Sequence, residues 1–216
     1  MNPQAVHSHT WIKVGSISGI SSIVLFAILV AATLPSYLEV FLVAYFGICF
    51  SLCGFGIHHL ISLSKQSVLS QIASIFILIS GLLFSLMLII QLTFRGYLND
   101  RYEEAIDDTS VETLNLIVRT IDPIQLSIQI CNDFFVASAL ILFAIAMYRN
   151  THFEKIWSIS AMLIGIVLIG VKCYSFPYTP EEAGLPGVLG PIIALWFLLI
   201  SIKCLISVTK LKKMSG

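Results

Sequence analysis

From Gln66 to Phe94 the chain contains no Asp, Glu, Lys or Arg. At about 1.5 Å rise per residue, a helix of that length more than covers the roughly 30 Å of hydrocarbon in a bilayer. A soluble fold cannot hide an uncharged run this long around its whole circumference, so lipid must cover much of it. Composition agrees. Of 216 residues, 57% are hydrophobic and only 11% charged, and mean hydropathy is +0.95, whereas about a quarter of the residues in an ordinary soluble domain are charged.

Six such apolar stretches follow one another, at about 12–34, 37–63, 66–94, 123–148, 154–174 and 188–209. Each is long enough to span, and a lone spanning segment satisfies its backbone only as a helix. The expected fold is therefore all-α, a single domain over residues 1–216 built as one bundle of six transmembrane helices. Connections 1 to 2, 2 to 3 and 4 to 5 are only a few residues, which makes those helices antiparallel neighbours. The first stretch is a spanning helix rather than a signal peptide. It runs for about twenty residues after Lys13 instead of the 7 to 15 of a signal core, and Ala31-Ala32-Thr33 is a poor cleavage site. Cys49, Cys53, Cys131, Cys173 and Cys204 lie in or beside spans and form no CxxC pair. Disulfide and zinc roles are therefore not indicated, and no metal-ligand set is apparent.

Positive charge sets the expected orientation. With a cytoplasmic N-terminus, Lys13, Lys65, Arg149, Lys155, Lys203 and the Lys210 to Lys213 tail fall inside, while Arg95, Arg101, Arg119 and Lys172 fall outside. That excess places both termini in the cytoplasm. Most acids, from Asp100 to Glu112 and at Glu181 and Glu182, fall on the outer face.

The largest connection, Arg95 to Pro123, has capping-box spacing at Thr109 and Glu112. Val111, Leu114, Ile117, Val118 and Ile121 then recur at helical intervals. A short amphipathic helix between helices 3 and 4, lying on the outer surface, is the expected structure. It would either simply cover the bundle or act as a lid or docking surface. Asp107 and Asp108 resemble calcium ligands only loosely, since no EF-type loop follows.

The fourth span carries the candidate site. Asp122, Gln125, Gln129, Asn132 and Asp133 fall within an arc of about 100° on a helix, one polar stripe that cannot face lipid. Counted from Asp122, Asp133 lies roughly 16 Å deep, near the midplane. A carboxylate there costs at least about 2.5 kcal/mol unless it is neutral, paired or beside water. Lys203, roughly 22 Å down the sixth span by the same rise, is a feasible partner. The favoured reading has it snorkel to the cytoplasmic headgroups while Asp133 stays neutral and hydrogen-bonded to neighbours such as Asn132. Lys172 is matched instead with Asp122, Glu181 or Glu182. Adjacent His58 and His59 point about 100° apart, which suits solvated helix-end histidines better than a metal pair. Gly15 and Gly19 make a GxxxG that permits close helix contact, expected within the bundle.

The connection from Phe176 to Pro191 holds Pro177, Pro180, Pro186, Pro191, Gly184, Gly187 and Gly190, a rigid re-entry that sets the angle of helix six. It lies on the same expected outer face as Asp122. Lys172, Phe176, Pro177, Pro180, Glu181, Glu182 and Gly184 would form the rim of a mouth above the stripe.

Gln129, Asp133 and Phe135, followed by Phe176-Pro177-x-x-Pro180-x-x-Ala183-Gly184 and Gly190-Pro191-x-x-x-x-Trp196, resemble a group of bacterial six-helix integral membrane proteins that carry a domain of unknown function. The resemblance covers about 80 residues. The pattern of that group includes an acid before the Gly-Pro pair, where this chain has Leu185-Pro186-Gly187-Val188-Leu189. It implies the six-helix fold and a bacterial inner (plasma) membrane, and it brings no activity or cofactor.

No HExxH, P-loop, nucleotide fingerprint or serine elbow is present. Because no complete catalytic set is visible, the first function class is a binding, sensing or scaffold protein, in which the stripe is either structural glue or a pocket for a lipid or small amphiphile. The second is a proton- or cation-coupled transporter of small solutes using Asp133, although internal repeats are not evident. The third is a membrane enzyme on a lipid, with Asp122, Lys172, Glu181 and Glu182 at the outer interface. The bilayer itself is the one partner composition requires, and nucleic acid is not expected.

Overall fold

The computed structural model describes residues 3–104, 108–184 and 189–214. They form α1 (Pro3–Ala31), α2 (Ser36–Ser64), α3 (Val68–Glu104), α4 (Asp108–Met147), α5 (Lys155–Ser175) and α6 (Leu189–Met214). All six are long and apolar enough to cross a membrane, so the chain is a multi-pass membrane protein with the all-α six-helix architecture its sequence implies. The start of α1 and the end of α6 mark what is termed here the near end, and the opposite end is the far end.

The turns stop the helices by identifiable means. Pro35 N-caps α2 in an extended conformation (φ −59, ψ 139), and a residue preceding proline is itself pushed away from helix, which ends α1. At the near end Asn150 organises the α4–α5 turn. Its amide donates to the Ile61 carbonyl at 2.9 Å, and its Oδ1 accepts from the His152 backbone N–H at 2.9 Å.

Sequential helices pack as antiparallel neighbours from α1 through α5, and α6 closes the ring against α1, touching α5 only lightly. The α1–α2 contact is made backbone to backbone. A Cβ placed on Gly56 would lie 2.8 Å from the Gly15 Cα, which no larger residue could accept without parting the helices. Gly19 faces Cys53 of α2 and Ser201 of α6, so the GxxxG of α1 is used inside the bundle. Phe143, Leu140, Ile57, Leu60, Phe197 and Ile200 are fully buried at the centre. Each helix also turns a large apolar side chain outward: Ile17, Ile48, Leu82, Ile145, Ile166 and Leu195 are between 48% and 59% exposed. That is the surface a lipid-facing bundle needs and a soluble one avoids.

The Arg95 to Pro123 connection differs from expectation. Its amphipathic run is helical, but it is the first part of α4 rather than a separate surface helix, and α3 extends to Glu104 to meet it. Pro123 sits inside α4 without ending it. Leu114 and Ile121 of the expected stripe are buried, and α3 and α4 pack extensively on each other. This tertiary packing offsets the hydrogen bond that proline removes. At 1.5 Å per residue α3 and α4 reach about 55 and 60 Å, against about 31 Å for α5, so the pair projects well beyond the others at the far end. Asp107 and the side chains of Asp108, Thr109, Val111 and Val118 lie outside the described residues, as do the capping-box and calcium-ligand readings that rest on them.

Candidate functional site

The polar stripe of α4 divides. Asp122 is exposed and Gln125 and Gln129 are half-buried, whereas Asn132 is buried between helices and the Asp133 side chain is 15% exposed. Only the lower two residues form a site. Because neighbouring residues on a helix point about 100° apart, Asn132 and Asp133 reach different partners. Ser80 of α3 donates to Asn132 Oδ1 at 2.6 Å, Asn132 Nδ2 donates to Asp133 Oδ1 at 3.3 Å, and Lys172 Nζ of α5 meets Asp133 Oδ2 at 2.8 Å. One chain of polar groups thus crosses from α3 through α4 to α5.

The Asp133–Lys203 pair that depth allowed is therefore not formed, and Lys172 is not a rim residue paired with Asp122, Glu181 or Glu182. The geometry explains the exchange. Asp133 stands about 21 Å above Met147 and Lys172 about 26 Å above Lys155, so the two lie at neighbouring levels counted from the near end. Side chains lean toward the N-terminus of their own helix. In this antiparallel pair the lysine leans down and the carboxylate up, which closes the remaining gap. Lys203, about 21 Å below Leu189, has instead descended to the near end, where its Nζ bonds Glu154. Counting depth from Asp122 assumed that the span of α4 begins there. By height above the near end, about 21 Å in a hydrocarbon core of about 30 Å, Asp133 still lies nearer the midplane than the far face.

Beside this polar chain is a cavity of about 120 Å³ bounded by α1, α2, α3, α4 and α6. Ser80, Asn132 and Asp133 are its polar groups, and Phe26, Phe46, Phe50, Phe84 and Phe197 form much of its wall. These rings are in mutual contact, with centroids 4.9 Å apart for Phe50 and Phe197 and 5.1 Å for Phe46 and Phe84. Sequence reasoning did not single out any of the five, because they come from four helices and only Phe46 and Phe50, i and i+4 on α2, share a spacing. Ser80, one serine among many in α3, was equally silent.

The connection after α5 has its own construction. Thr179 and Glu182 form a reciprocal cap. The Thr179 backbone N–H donates to Glu182 Oε2 at 2.8 Å, and the Glu182 backbone N–H donates to Thr179 Oγ1 at 3.3 Å. The Thr179 backbone N–H and its hydroxyl, both donating to Glu182 Oε2, hold the Glu182 carboxyl below its ordinary value. Thr-Pro-Glu-Glu is the capping-box order with proline at the first position, a signal that was open to sequence reading. Gly184 ends the turn with φ +76, a conformation glycine adopts without strain. Phe176 is 67% exposed and Glu181 is exposed. Residues 185–188, with Pro186 and Gly187, lie outside the described residues. Beyond them Gly190 lines the cavity, and Trp196 ties α6 to α5 through a 3.0 Å bond from Nε1 to Ser160 Oγ. With Lys172 buried against Asp133, the structure does not assemble the proposed far-face set of Asp122, Lys172, Glu181 and Glu182.

His58 and His59 are half-buried and make contacts within the bundle. His58 Nδ1 bonds Ser70 Oγ at 2.8 Å, and His59 stacks on Trp11 with centroids 5.7 Å apart. All five cysteines are free thiols.

Comparison with family models, with curated proteins and with solved structures finds no match to this chain.

Proposed function

We propose that this protein is a membrane-embedded binding protein for a small amphiphile, held with its apolar part among the phenylalanines and its polar end at Asn132 and Asp133. The observation that carries this reading is the cavity itself: mostly apolar walls, with a few polar groups converging at one point, is the usual construction of a small-molecule site. At about 120 Å³ it suits a slender group such as the end of an acyl chain; sites for drug-sized ligands run to roughly 300–1,000 Å³. In this reading the basic near end is cytoplasmic, and the resemblance noted above would put the protein in a bacterial inner membrane.

The test uses fatty alcohols from octanol to tetradecanol as probes, whose hydroxyl matches the polar end and whose chain matches the wall. Purified protein in mild detergent should be stabilised against heat by one part of that series. Ala194→Trp, which fills the cavity from α6, should abolish the effect. No stabilisation by any member, together with no small molecule carried through purification on native mass spectrometry, would overturn the proposal.

Coupled transport through Asp133 is the second reading, favoured by the place of the carboxylate on the cavity wall. Lys172 already neutralises that carboxylate, which weighs toward binding. Undiminished solute uptake by Asp133→Asn protein in proteoliposomes, across a panel of small solutes, would remove it.

A further inference from the structure

A second and larger concavity, about 660 Å³, opens at the near end between the α2–α3 turn and the α4–α5 turn. Its mouth at the near end includes Lys65, Gln66, Ser67 and Arg149, and among the described residues its lining holds no acid. Lys65 and Arg149 are exposed, and neither has a carboxylate partner among the described residues. Tyr148, also in the lining, holds the Lys155 ammonium 5.8 Å from its ring, which adds a third cation at the margin. Farther from the near end than the cations the lining turns apolar, through Leu69, Ile145 and Met162. Leu69 is 37% and Ile145 48% exposed, so this wall is continuous with the lipid-facing surface of α3 and α4.

The charge and the apolar wall each point to one kind of occupant. A soluble anion would use the cations and leave the wall bare; a neutral lipid would use the wall and leave two cations unmatched. We infer that this groove is a site for an anionic phospholipid, its phosphate between Lys65 and Arg149 and one acyl chain along Leu69, Ile145 and Met162. Ser67 adds a hydroxyl where α3 begins, its Oγ accepting from the Ser70 backbone N–H at 3.3 Å. The inference does not depend on the intramembrane cavity and stands or falls separately from the binding function proposed above.

Native mass spectrometry of the full chain, equilibrated with equal amounts of phosphatidylglycerol and phosphatidylcholine, tests it. Wild-type protein should retain phosphatidylglycerol preferentially. Lys65→Gln with Arg149→Gln should lower that retention roughly thirtyfold, the combined effect of two cations at a charged membrane surface, and leave phosphatidylcholine unchanged. Lys65→Arg with Arg149→Lys should keep it, and Lys13→Gln with Lys210→Gln, an equal loss of charge elsewhere on the near end, should also keep it. The proposal is overturned if the wild-type protein retains both lipids equally, or if the two glutamine pairs lose phosphatidylglycerol to the same extent. It is also overturned if inorganic phosphate without lipid stabilises the protein against heat as well as phosphatidylglycerol does, which would make the groove a soluble-anion site.

Discussion

Asp133 and Lys172 meet with side chains 15% and 6% exposed, whereas Glu154 and Lys203 meet at the near end with side chains 62% and 23% exposed. Both join a carboxylate to an ammonium, and in both the partners come from different helices or their caps. What separates them is the medium. Water and salt screen the near pair, and each of its ions would be well solvated alone. The far pair lies among helices and lipid, where each ion is tolerable chiefly because the other is there. The far pair is thus expected to restrict the bundle more than it strengthens it. It fixes the register of α5 against α4 and holds the carboxylate at the cavity wall.

Breaking one partner exposes that difference most directly. Lys172→Met should destabilise the protein by about 3–5 kcal/mol, because a charged carboxylate is left buried without its cation. Denaturant unfolding in mild detergent, followed by circular dichroism, would measure it. Adding Asp133→Leu to the same variant should recover most of the loss, since replacing both ions by apolar groups of similar size is often neutral or stabilising. A double variant as unstable as the single one would show that the pair contributes net stability and would reverse the comparison. Asn132→Ala is the next largest step. It leaves the Ser80 hydroxyl, itself 1% exposed, without its 2.6 Å acceptor, at roughly 1–3 kcal/mol. It should also weaken the stabilisation by fatty alcohols, because a polar group of the cavity has gone. Unfolding and probe titration on one preparation separate the two effects.

The same contrast shows what could be read from the residues alone. The six helices were legible because uncharged runs such as Gln66 to Phe94 leave lipid as the only consistent solvent. The stripe of α4 was legible as periodicity, and its buried part is where the site lies. The partner of Asp133 was not legible. Depth had to be counted from an assumed helix end, and Pro123 looked like that end, whereas packing against α3 carries α4 through it to Asp108. An error of a few residues at 1.5 Å each is enough to exchange one lysine for another. The phenylalanine wall was hidden for a different reason: its five side chains converge from four helices, and apart from Phe46 and Phe50 of α2 no helix carries more than one of them.

The smallest effect is expected at the near pair, and there the dependence on conditions carries the information. Glu154 accepts from Lys203 and, at 2.8 Å, from Trp157 Nε1. The Lys203 bond is the main reason its carboxyl is held below the ordinary glutamate value. A carboxyl whose value is lower in the folded state stabilises the fold above the unfolded value, about pH 4.3 for glutamate, and loses that contribution as pH falls through the lower folded value. Glu154→Gln should therefore be worth at most about 1 kcal/mol at neutral pH, as exposed pairs generally are. The difference from wild type should be flat between pH 6 and 8 and shrink as pH falls below about 4, vanishing once glutamate is protonated in both states. Raising salt from about 0.05 to 0.5 M should also shrink it, since the screening length falls from over 10 Å to a few ångströms, while the Lys172→Met difference should hold. A Glu154→Gln effect insensitive to salt, or one as large as that of Lys172→Met, would mean that the near pair is shielded as the far pair is, and that exposure does not divide them.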